Sequence, residues 1–263
     1  MPQSAVVCNK VCLYPYILQL NYDVYGETTM LNNFRFVDLT HTLDEHIPTW
    51  PGSVRFQREL RVDYPQGYLL YNYLQTAGIG THMDAPAHFV RGGRGIADIP
   101  LTELIASGCV LDVRTQVQKN ADYKINADDI AQWEKQYGLI TQGALVLACT
   151  GWSQRWPDEA RYRNADDKNI MRFPGFGADA ATLLVERGIV GVGIDTLSLD
   201  NGSSTDYAAH HIFLGNDLYQ LENLTALEQL PATGACLFAL PIKIKDGPEA
   251  AARVIALVPN SKS

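Results

Sequence analysis

Along the chain, apolar and polar positions alternate or cluster in short segments, and most of these are of strand length. Phe36-Val37-Asp38-Leu39 reads as a first strand. Residues 54–62 and 68–74 read as two further strands, with Pro65-Gln66-Gly67 as the turn between them, so a hairpin is expected. Residues 109–113 follow as a strand, and 144–149 form an unbroken apolar run, the pattern of a strand buried on both faces. Residues 189–194, 218–221, 236–244 and 253–258 complete the strands, with a short segment opening at 210–214. Helices are expected at 101–107 before Gly108, at 126–137, and at 178–187 before Gly188. In the second of these Asn126 caps the start with Asp129 three residues on, Ile130, Trp133 and Tyr137 share one face, and Gly138 stops it. Strands outnumber helices and interleave with them, with no repeat, low-complexity tract or linker, which predicts a single α/β domain. That domain spans 34–263, and residues 1–33 read as an N-terminal extension, with Met30 as an alternative start. The apolar stretch 11–20 in the extension is too short to span a membrane and lacks the marks of a signal peptide.

The densest chemistry lies in Gly78-Ile79-Gly80-Thr81-His82-Met83-Asp84-Ala85-Pro86-Ala87-His88-Phe89. In a strand, His82 and Asp84 point one way and Thr81 and Met83 the other. Pro86 cannot donate to a ladder and ends the strand, after which the chain can turn and bring His88 back. An imidazole and a carboxylate side by side, with a second imidazole near, suit a divalent metal and a proton carrier. Taken alone, the same pair serves equally well as a structural hydrogen bond. A second cluster changes that balance. His210, beside His211, stands twelve residues before Glu222, room for an excursion and a return by a strand, although taken alone these residues read as a surface His pair and an unrelated Glu. Meeting His82 and Asp84, these residues would form an imidazole and carboxylate site of the zinc or manganese hydrolase type.

Two aromatic segments bear on a binding site. Ile47-Pro48-Thr49-Trp50-Pro51-Gly52 is a rigid loop in which Trp50 is either tucked on the core or a pocket wall. Residues 150–177 are long, charged and aperiodic, with Trp152 and Trp156 bracketing Arg155, and read as a lid with an aromatic rim or a solvated surface loop, the lid being favoured because a buried strand precedes it.

Composition narrows the function classes. Hydrophobic residues make up 46% and charged residues 19%, enough for a large core and too little charge for disorder. The net charge of −8 and the lack of a basic stripe argue against nucleic acid, and no apolar run reaches membrane-spanning length. The five cysteines are odd in number and irregularly spaced, which fits reduced thiols in a cytoplasmic protein. Cys109, Cys149 and Cys236 read as small buried hydrophobes, and Cys8 with Cys12 lacks a second pair to complete a metal site.

The motif resembles that of the cyclase-like metal-dependent hydrolases, which include bacterial-type kynurenine formamidase and isatin hydrolase. The family pattern His-x-Gly-Thr-His-x-Asp-x-Pro-x-His is matched in order and spacing by Gly80-Thr81-His82, Asp84, Pro86 and His88. Asp38-Leu39-Thr40-His41, Pro51-Gly52, Thr150-Gly151-Trp152, Pro174-Gly175, Gly193-Ile194-Asp195-Thr196, Ser198 and Asp200 resemble its other signatures. The resemblance implies a mixed sheet or barrel-like β core flanked by helices (a swivelling β/β/α fold) and a homodimer or larger assembly. It implies metal ligation by His82, Asp84, His210 and Glu222, and proton shuttling by His88. One or two zinc or manganese ions would lower the pKa of water from ~15.7 toward ~7, yielding hydroxide to attack an amide carbonyl. The substrate would be an aryl formamide such as N-formylkynurenine, or a cyclic amide such as isatin, against Trp50.

One departure stands out: the family's first motif histidine is Gly78 here. Water, Gln75 or His46 would have to fill the gap, or the site would hold one ion or none. Gly78→His is expected to raise metal affinity. The competing expectation is an impaired family member that binds a small aromatic ligand or serves in an assembly.

Overall fold

The computed structural model describes residues 29–156 and 158–260. The expected extension over 1–33, with its apolar stretch and with Cys8 and Cys12, lies outside the described residues apart from a 3₁₀ turn at Thr29–Asn33. The strands are β1 (Phe34–Asp38), β2 (Gln57–Val62), β3 (Leu70–Leu74), β4 (His82–Asp84), β5 (Ile105–Asp112), β6 (Lys124–Ile125), β7 (Leu145–Cys149), β8 (Gly175–Phe176), β9 (Gly191–Ile194), β10 (Tyr219–Glu222), β11 (Thr233–Pro241) and β12 (Glu249–Pro259). The helices are α1 (Leu101–Leu104), α2 (Arg114–Lys119), α3 (Ala127–Tyr137), α4 (Glu159–Arg163), α5 (Ala178–Glu186) and α6 (Ala208–Gly215).

Seven strands close on themselves in the order β12-β11-β5-β7-β9-β10-β4, with β4 pairing back onto β12. The run β5-β7-β9-β10 is parallel and the other pairings are antiparallel, so this is the mixed, barrel-like core that the resemblance implies. A long β12 makes closure possible. Its first residues pair with β4, and the rest pairs with β11 on one edge and β1 on the other.

A ring this small has little room inside, and the inward positions are chosen for it. β9 turns Gly191 and Gly193 inward. A Cβ on Gly191 would sit 2.6 Å from the Tyr219 ring, and one on Gly193 would sit 2.7 Å from Leu147 and 2.8 Å from Leu224. β12 contributes Ala250, Ala252 and Ala256 to the same interior cluster. Its alternating burial is the period-two signature of a strand with one face on a core. The outward faces of β7 and β9, among them Val146, Val192 and Ile194, pack under Ile130 and Trp133 of α3, Leu184 of α5 and Phe213 of α6. With the interior on one side and helices on the other, every residue of β7 is buried, as its apolar run predicts.

The hairpin β2–β3, the capped helix α3 and the ends of β9 and β10 fall close to expectation. Three expectations change. The helix foreseen at 101–107 is one turn only, because Ile105 to Ser107 already pair with β11. The last strand begins at Glu249, four residues before Arg253. The segment 150–177 holds a 3₁₀ turn at Trp152–Arg155, α4 and β8, so it is not an aromatic lid. Trp152 is buried in the core, its indole donating to Tyr162 O at 2.7 Å and its ring lying under the Arg155 guanidinium. Cys109 and Cys149 are buried as expected, whereas Cys236 is half-buried.

Two tests follow from this packing. Trp156 stacks on His41 with ring centroids 4.1 Å apart, and His41 Nε2 is buried with no hydrogen-bond partner among the described residues. Burial pushes the His41 pKa down to about 4 against an ordinary value of 6.5. As pH falls, the unfolded chain therefore takes up this proton first. Stability is lost between pH 6.5 and about 4, in full by on the order of 3 kcal/mol. In urea melts across that range, His41→Phe is expected to show a flatter decline than the unaltered protein, and parallel declines would refute the assignment. At Gly175, a Cβ would collide with the backbone of Asp200 and Asn201, whose Cα lies 2.7 Å away. Gly175→Ala is expected to destabilise the fold by about 1–3 kcal/mol, and an unchanged denaturation midpoint would mean that the loop yields freely.

Candidate metal centre

The centre is built on β4, three residues long, buried and paired on both edges. On one side Glu222 stands opposite His82 and Gln220 opposite Asp84; on the other, Glu249 stands opposite Asp84. Residues opposite one another in antiparallel strands share a face. Met83, Leu221 and Ala250 thus fill the ring interior, and His82, Asp84, Glu222 and Glu249 project from its outer face. α6 lies over β10 and the Pro86–His88 turn and adds His210. The proline ends β4 as expected, and the 3₁₀ turn it starts, closed by His88 N donating to Ala85 O at 2.9 Å, returns His88 to the site.

Hydrogen bonds fix both buried imidazoles. His82 Nδ1 donates to Gly80 O at 2.8 Å, leaving Nε2 toward Asp84 Oδ1 at 3.4 Å and Glu222 Oε2 at 3.5 Å. His210 Nδ1 donates to Asp200 Oδ2 at 2.6 Å, leaving Nε2 3.3 Å from Glu222 Oε1 and 3.8 Å from Asp84 Oδ2. Asp200 also accepts from the backbone of Ala209 and His210, which caps α6 and sets its angle. Next to Glu222, Asn223 donates to Gly80 O at 2.9 Å and accepts at its own carbonyl from Thr81 Oγ1 at 2.6 Å, stitching the two distant segments together.

The donor atoms are spaced as the ligands of an ion could be. At 3.3–3.8 Å these contacts exceed N–H···O hydrogen bonds. Four ligands about 2.0–2.2 Å from one cation stand about 3.3–3.6 Å apart in a tetrahedron. Asp84 Oδ1 is buried with no hydrogen-bond partner among the described residues. Two groups of donors fit a cation, His82–Asp84–Glu249 and Asp84–His210–Glu222, and Asp84 belongs to both. The electrostatics agree. Burial opposes protonation of His82, but the charges of Asp84 and Glu222 outweigh it and lift the pKa to about 10. His210 is likewise lifted to about 10 against burial by Asp200, Glu222 and Asp84. Burial also opposes ionisation of Asp84, yet the His82 charge keeps it below the usual carboxylate range.

The six residues expected to ligate, shuttle protons or bind substrate, His82, Asp84, His88, His210, Glu222 and Trp50, all line one cavity of ≈ 360 Å³. Trp152 and Trp156 do not, because they are spent on the core and on His41. Neither Gln75 nor His46, the candidates for the gap left by Gly78, reaches the cavity lining. Glu249 does, with its Oε2 3.6 Å from His88 Nδ1. Sequence reasoning missed Glu249 and the orienting role of Asp200. The period-two pattern running back from Val254 through Ala252 to Ala250 was the signal that Glu249 belongs to the strand.

The family model described as Putative cyclase matches residues 37–201. An isatin hydrolase from Roseibium aggregatum is 35% identical over 190 residues, 69% of this chain and 72% of that protein. A kynurenine formamidase from Salinibacter ruber is 28% identical over 224 residues, 83% of this chain and 95% of that protein. The solved structure of isatin hydrolase A from Labrenzia aggregata bound to benzyl benzoate superposes with a TM-score of 0.82 at 34% identity, covering 87% of this chain and 95% of that one. With its closed mixed barrel and its matched motif, the chain belongs to the putative cyclase family.

Proposed function

We propose that this protein is a metal-dependent hydrolase of an aryl formamide or cyclic amide, of the kind represented by N-formylkynurenine and isatin. The observation that carries the reading is the pair of donor groups sharing Asp84 in one cavity with His88. His82, Asp84, His210 and Glu222 would hold zinc or manganese, one ion or two, and their imidazole and carboxylate donors suit either. Once bound, the cation would supply an activated water and polarise the amide carbonyl.

The protein's own groups account for the rest. Asp200 and Gly80, by occupying the Nδ1 atoms of His210 and His82, keep each Nε2 turned to the centre. His88 stands at the cavity with its side chain 30% exposed, open to solvent and substrate, and can carry a proton from the attacking water to the leaving nitrogen. Trp50, Phe89, Leu197 and Tyr207 wall the cavity and suit a flat ring. The impaired-member reading rests on Gly78, and the carboxylate of Glu249 beside that gap weighs against it.

The setting we infer is cytoplasmic, on the acidic composition and the buried, unpaired Cys109 and Cys149. No helix among the described residues is long and apolar enough to cross a membrane. Assembly as a homodimer or larger, without nucleic-acid or membrane partners, rests on the family resemblance and the net charge of −8.

Metal analysis and a hydrolysis assay test the reading. Purified protein is expected to retain zinc or manganese and to turn over N-formylkynurenine or isatin. Chelation should abolish turnover and returned ion should restore it. His88→Ala is expected to lower kcat by on the order of a hundred- to ten-thousandfold without changing metal content. Turnover that survives chelation, or full kcat in His88→Ala, would overturn the mechanism.

A further inference from the structure

From the geometry around Gly78 we infer that Glu249 is a metal ligand, reaching from the neighbouring strand into the place of the side chain that Gly78 lacks. A Cβ built on Gly78 would collide with Glu249 Oε1 and would lie 3.1 Å from His82 Nε2. The Glu249 carboxylate therefore occupies the space into which a side chain at position 78 would project, beside the ligating nitrogen of His82. Its donor oxygen, a ring nitrogen of His82 and a carboxylate oxygen of Asp84 lie within 4.8 Å of one another.

Two independent features support ligation. Antiparallel register places Glu249 directly opposite Asp84 on the face that carries the centre, so its direction is set by barrel closure. Asp84 Oδ1, the oxygen nearer His82, is buried with no hydrogen-bond partner among the described residues, so a cation on that side would satisfy it. The other Glu249 oxygen faces His88 Nδ1 at 3.6 Å, which links the proposed ligand to the proposed proton carrier. The chain thus keeps a three-donor group, His82, Asp84 and Glu249, where the family motif supplies two histidines and the aspartate.

This changes the outcome expected for Gly78→His. Alone, the new side chain must displace Glu249, so one ligand replaces another and affinity does not rise. The inference rests on the hydrolase reading only for its ion, and calorimetric titration of metal-free protein with Zn²⁺ tests it apart from catalysis. Glu249→Gln is expected to weaken one class of sites at least about tenfold to a hundredfold, the loss that even an outer partner of a ligand can cause. The Asp84–His210–Glu222 group should bind as before. The double variant Gly78→His with Glu249→Ala is expected to recover most of the lost affinity, and thermal melts of the metal-free forms report whether each variant folds. Undiminished Zn²⁺ affinity in folded Glu249→Gln would overturn the assignment and leave the hydrolase reading standing. Full affinity with lost turnover would also overturn it, because Glu249 would then act on substrate or proton. Unaltered protein that binds the ion through Glu249 and hydrolyses no amide would defeat the hydrolase reading alone, and protein that binds no Zn²⁺ would defeat both.

Discussion

Closure of the barrel through β4 is the constraint on which the site depends. Without this strand, β10 and β12 would each present an open edge, with unpaired backbone donors and acceptors. Three residues satisfy both edges, and they can do so in one register only. A slip by one position would turn Met83 out to the polar centre and drive His82 and Asp84 into the apolar interior, where unpaired charge is costly. The packing that stabilises the fold is thus the packing that aims the ligands. Asn223 and Thr81 reinforce the same register from just outside the strands.

The cost of this arrangement is a dense set of charges with little solvent. Asp84, Glu222 and Asp200 are each buried, and the two imidazoles beside them are held protonated far above their ordinary range. Two imidazolium charges facing shared carboxylates amount to the charge of one divalent cation. A cation held by Asp84 with either imidazole would displace that ring's proton rather than add its full charge to the interior, the usual linkage of metal binding to proton release. Asp200 stands apart from that exchange. Its bond to His210 Nδ1 holds whether Nε2 carries a proton or faces an ion, so the ring keeps its direction in both states.

Much of this was legible in the sequence because it is local. His82 and Asp84 share a face by strand periodicity, Pro86 ends the strand, and Gly138 and Asn126 bound α3, each through neighbours a few residues apart. What was not legible is relational. Trp152 and Trp156 look like a binding rim because an aromatic in an aperiodic segment carries no sign of which way it faces, and tertiary packing turned them inward. Glu249 was hidden for another reason. The strand it opens begins with three alanines, residues of poor β propensity that are used because the ring interior and the space beside β4 are narrow.

The exchange at position 78 illustrates what a coordination site requires of a sequence. A cation senses where donor atoms lie and what charge they bear, not which segment carries them. Glycine at 78 stands where the family resemblance implies an imidazole, and Glu249 brings an anionic oxygen to the same space from a strand about 170 residues further along the chain. With Glu249 as a ligand, the group would keep three donors and be harder and more negative, since two of the three are carboxylates. Oxygen-rich sites suit harder ions such as manganese better than imidazole-rich ones do. Burial and the charge of Asp84 also push the Glu249 carboxyl upward, and a cation bound between the two would relieve that repulsion.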